Sequence, residues 1–89
     1  MMMSRVHKWT PQRVTALRQA LLHEAQTGVA PGLAMACLVA LRPAQGEAVC
    51  AEKAARLATM LRTVAPMRPL GKRIDERLRR PGAGSEAAG

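Results

Sequence analysis

The stretch EAVCAEKAARLATMLRTVA, residues 47–65, decides how the rest of the chain is read. Cys50, Ala54, Leu57, Leu61 and Val64 recur in it at alternating steps of four and three. That is the period of an α-helix with a narrow apolar seam. Glu52, Arg56, Thr59 and Thr63 fall on the opposite face. Glu52 and Arg56, one turn apart, form a favourable ion pair worth a few tenths of a kcal/mol. The seam predicts a helix over 47–65.

Upstream, Arg42-Pro43-Ala44-Gln45-Gly46 breaks the chain, and before it runs the most apolar segment, Leu33 to Leu41. Only Val39 in that segment is β-branched, so its Ala and Met content favours helix over buried strand. A helix apolar on every side is one buried on every side, by its own chain or by a partner. Further upstream, Thr10 is placed to cap and Pro11 to open a helix. Trp9 stands where a hydrophobic staple to Val14 would sit. Val14, Leu17 and Leu21 carry the stripe, Leu22 and Ala25 widen it, and Gly28 marks the stop in an expected left-handed conformation. The turn Trp9-Thr10-Pro11-Gln12-Arg13-Val14 resembles the first turn of the DNA-binding domain of GcrA-type cell-cycle regulators. The likeness is confined to that turn and assigns no role to any other residue.

Downstream, Pro66 and Pro69 end the seam helix. Leu70, Ile74 and Leu78 lie one turn apart and outline a fourth helix near 70–80. Gly71 weakens it by about 1 kcal/mol, and so short a helix is marginal by itself. The expected organisation is a flexible basic N-terminus (1–9), a helical domain (10–65), a weakly docked basic helical arm (66–80) and a disordered tail (81–89).

The composition fits this all-α reading. Among 89 residues there is one aromatic, Trp9, and no Tyr or Phe, which speaks against a β-sandwich or barrel. Two cysteines cannot staple a mini-protein. The expected fold is a small three-helix bundle with a marginal fourth helix. So small a core invites completion by a homodimer, with Leu38, Leu41, Leu57 and Leu61 as its expected interface. The nine-residue apolar run is far too short to cross a bilayer, which takes about 20 residues, and no secretion signal is apparent. On this reading the chain is cytoplasmic, with no membrane association and with reduced cysteines.

Enzymatic chemistry is not expected. The residues offer no nucleophile–histidine–acid order and no glycine-rich phosphate loop. His7, His23, Cys37 and Cys50 lack the close spacing of a metal site, so neither metal nor cofactor is expected, and both cysteines read as small core residues. The few carboxylates read as solvated partners of neighbouring Arg or Lys.

Charge is the informative feature. Fourteen basic residues face six acidic ones, for a net +8. The excess sits at the two ends, in Arg5, Lys8, Arg13 and Arg18 and again in the segment 66–80. Such a distribution points to a polyanion or an acidic protein surface. The expected contact set is Arg68, Lys72, Arg73, Arg77, Arg79 and Arg80, gripping phosphates of a duplex with little sequence preference. On a helix Arg73, Arg77 and Arg80 share one face, Lys72 and Arg79 another. Should the arm not be the contact, Arg13, Arg18, Lys53, Arg56 and Arg62 are the next candidates; Lys53, Arg56 and Arg62 would also be the reading residues of a helix-turn-helix. The alternative function is an adaptor or inhibitor that docks on the acidic surface of a larger protein.

Overall fold

A computed structural model describes residues 9–79, and they form four α-helices. Helix α1 spans Pro11–Thr27, α2 Pro31–Ala40, α3 Glu47–Thr63 and α4 Arg68–Arg79. Short 3-10 turns at Pro43–Gln45 and Ala65–Met67 link α2 to α3 and α3 to α4. The expected positions 1–8, Arg80 and 81–89 lie outside the described residues.

The start of α1 follows its sequence. Thr10 Oγ1 accepts the backbone N–H of Arg13 at 3.2 Å, and Pro11 takes the first helical position, where no N–H is needed. The end of α1 differs from expectation. Gly28 is extended (φ −88°), not left-handed. Glycine is required there for space: a Cβ would run into the side chain and backbone of Glu24.

The core draws on all four helices. Val14, Leu17 and Leu21 of α1 meet Ala34, Cys37 and Leu41 around α2, and Cys50, Ala54, Leu57 and Leu61 of α3. Met67, Leu70 and Ile74 close it from α4. Three readings need correction. The fourth helix is no weakly docked arm: it packs against both α1 and α3, and Leu70 and Ile74 are buried. The physical reason is Gly71. Its missing side chain lets α4 cross α3 so closely that a Cβ would strike the Leu61 carbonyl, and this contact offsets the poor helix propensity of glycine. Second, the seam of α3 stops short. The helix ends at Thr63, and Val64 takes an extended conformation with its side chain partly exposed.

Third, α2 is not buried on every side. It lies mainly against α1 and turns Ala34 and Cys37 inward. Met35 and Val39 remain 49% and 51% exposed. Leu41, Leu57 and Leu61, expected at a dimer interface, are used in the chain's own core, and Leu38 is packed partly against it. Among the described residues no helix is long and apolar enough to cross a membrane.

Candidate nucleic-acid interface

Two faces of α4 do different work. One face points at α1, where Glu24 is 0% exposed. Arg73 Nε donates to Glu24 Oε1 at 2.7 Å, and Arg77 Nε donates to Oε2 at 3.0 Å. Each carboxylate oxygen therefore has its own guanidinium. Burial alone would raise the Glu24 carboxyl; the hydrogen bonds and charges of Arg73 and Arg77 outweigh it and hold the group below its ordinary value. Glu24 is thus no solvated carboxylate. It binds α4 to α1 across the core, and Arg73 and Arg77 are engaged in that role.

The other face of α4 looks onto the C-terminal half of α3. Between them runs a shallow groove of about 730 Å³. Arg62 of α3 and Arg68, Lys72 and Arg79 of α4 line it, with Asp75 as the one acid. Asp75 is engaged by Arg79, at 3.1 Å in an exposed pair one turn apart. Among the described residues Arg62, Arg68 and Lys72 form no ion pair. All three are exposed. Leu61 and Gly71 line its apolar part, so the close crossing that seats α4 also shapes the groove.

The groove continues toward the start of α1. A smaller cleft shares Leu61, Arg62, Gly71 and Asp75 with it and adds Trp9, Arg13 and Leu78. The Arg13 guanidinium sits 4.2 Å from the centre of the Trp9 ring, a cation–π contact. The fold therefore brings part of the basic N-terminal segment beside the basic C-terminal one.

Of the expected contact set, Arg68, Lys72 and Arg79 are together on the groove, and Arg73 and Arg77 are on Glu24. Arg62, held in reserve by the sequence reading, joins the groove. Lys53 is exposed on α3, and Arg56 is exposed there in a pair with Glu52 at 3.6 Å. Arg18 is part-buried near the end of α2. Among the described residues no group of three His, Cys, Asp or Glu side chains could hold a metal ion, and burial pushes the Cys37 thiol up. No protein-family model matches the chain, and no curated protein and no solved structure is significantly similar to it.

Proposed function

We propose that the chain is a small, non-catalytic, cytoplasmic nucleic-acid-binding protein that grips the phosphate backbone in the α3–α4 groove. The observation that carries this reading is the set Arg62, Arg68 and Lys72: three exposed cations on one groove, in no ion pair among the described residues, with Arg79 beside them. Phosphate contact requires positive charge at a suitable spacing and little else. The groove presents no array of aromatic platforms for bases, so the binding is dominated by the backbone and weakly specific.

Binding to a random-sequence duplex tests this. Four groove cations meeting phosphates give a log K against log salt slope of about −3 to −4, and affinity falls about a hundredfold between about 50 and 200 mM salt. Arg68→Glu with Lys72→Glu should leave the helical signal intact, weaken binding and flatten the slope to about −2 or less. Absence of salt-dependent duplex binding overturns the reading. A pull-down that instead recovers an acidic protein would move the same groove to the adaptor or inhibitor function.

We also propose that two copies associate through the outward face of α2. Gly28 to Leu41 contains no charged residue in a chain of net +8, and Met35 and Val39 stand half-exposed there one turn apart. With a net charge of +8 two copies repel each other, and this uncharged face lets them meet with little of that cost. Val39→Lys is expected to reduce the mass in solution to that of one chain. A one-chain mass for the unsubstituted protein at high micromolar concentration overturns the proposal.

A further inference from the structure

At the other end of α3 from the basic groove lies a second recess, of about 600 Å³, between the starts of α1 and α3. Trp9, Val14 and Ala51 provide apolar walls, and Arg18 and Cys50 line it as well. Its size is that of an ordinary small-molecule site.

Arg18 is held firmly here. Its Nε donates to the Leu41 carbonyl at 2.7 Å and its Nη2 to Cys50 Sγ at 3.2 Å. Cys50 Sγ in turn donates to the Arg42 carbonyl at 3.2 Å. The guanidinium is thereby fixed to the end of α2 and to α3. These bonds use two of its five N–H donors. Among the described residues no carboxylate pairs with it. A guanidinium locked in place, with donors to spare and apolar walls beside it, is one half of a carboxylate clamp.

We propose that this recess binds a small organic monoanion, with its carboxylate on Arg18 and its apolar body against Trp9, Val14 and Ala51. Glu47 stands at the recess, exposed and in no ion pair among the described residues. Its charge opposes every anion in the recess and opposes a dianion or a phosphate chain more strongly, so a single carboxylate held on Arg18 is the suitable occupant. The recess shares Trp9 with the smaller cleft, but Arg18 does not line the α3–α4 groove or that cleft, and the proposal does not rest on the nucleic-acid reading.

Titration of the ¹⁵N-labelled protein with phenylacetate, followed by NMR, tests the proposal. Phenylacetamide keeps the apolar body without the charge, and inorganic phosphate keeps charge without the body. Phenylacetate at millimolar concentration should give saturable shifts of the Trp9 indole N–H and the Arg18 Nε–H. Phenylacetamide should bind about tenfold more weakly or worse, and phosphate should leave both signals in place. Arg18→Gln should weaken phenylacetate about tenfold or more. Because that change also removes the tether to Leu41, Ala51→Leu provides the second variant: it fills the recess from its wall and should abolish binding with the rest of the spectrum retained. No saturable shift with phenylacetate, equal binding of the amide, phosphate shifting the same signals as strongly, or binding that survives Ala51→Leu each overturns the proposal.

Discussion

Replacing Arg73 and Arg77 together by glutamine is expected to cost about 3–5 kcal/mol and to reverse the acid end of the stability profile. The cost follows from what remains. Glu24 is 0% exposed, and without its two guanidinium partners a bare carboxylate is left in the core, where an unpaired charge is heavily penalised. A domain of this size has only about 5–10 kcal/mol in total, so the variant should lose about half of its stability and melt at a clearly lower temperature. The pH dependence gives the sharper test. In the native chain the Glu24 carboxyl lies below its ordinary value. Its pairing therefore contributes fully above the ordinary carboxylate range, and the contribution is lost as pH falls through that range to the lower folded value. In the double variant both guanidinium charges are gone and burial becomes the leading influence on Glu24, which raises the carboxyl, so protonation should stabilise the fold as the solution is acidified. Glu24→Gln should show neither trend from this group. Chemical denaturation of the three proteins from pH 7 to pH 4 reads these signs directly. Equal stability of the native chain and the double variant would show that the pair contributes nothing. The exposure of the two arginine side chains, 40% and 28%, explains why the glutamate is the sensitive member: they can rehydrate when it is removed, and it cannot.

That ion-pair set marks where reading the sequence stopped. The order of the four helices was legible, because Thr10-Pro11, Pro31, Gly46 and the paired prolines 66 and 69 punctuate the chain, although α3 ends at Thr63 rather than at 65 and α4 begins at Arg68 rather than at 70; the seam from Cys50 to Leu61 does face the core. The division of α4 into two basic faces was legible too. What each face meets was not, since nothing in the local pattern says which helix lies opposite. A signal for Glu24 did exist. Val14, Leu17 and Leu21 step by three and four, and the next step of three is residue 24, an acid on a core stripe. An acid there calls for cations at helical spacing elsewhere, and Arg73 and Arg77 are one turn apart. Helix α2 failed for a different reason. With no polar residue between Gly28 and Leu41, the sequence carries no mark of which side faces out. The role of Gly71 was hidden because propensity counts its cost within one helix, while the benefit lies in the contact with Leu61 on another.

A chain ending at Ala65 is expected not to fold. The sequence pattern set a helical domain over 10–65 apart from a weakly docked arm, because the apolar seam lies upstream of the arm. The structure gives α4 a share of that core. Truncation removes Met67, Leu70 and Ile74, all buried, and burial of each contributes about 1.5–3 kcal/mol. The sum is comparable with the whole stability of so small a domain, about 5–10 kcal/mol. It also strips both partners from Glu24 and uncovers the side of Leu61 that Gly71 approaches. The shortened chain should lose most of its helical circular dichroism and its cooperative melt. This changes how loss of nucleic-acid affinity is interpreted: a truncated chain that no longer binds says only that it no longer folds. Substitutions at Arg68 and Lys72, exposed and outside the Glu24 set, keep the two questions separate. A truncated protein that melts cooperatively near the full chain's temperature would show that α4 adds little to the core. In that case the burial of Leu70 and Ile74 would have to be balanced by the conformational entropy lost in ordering the helix.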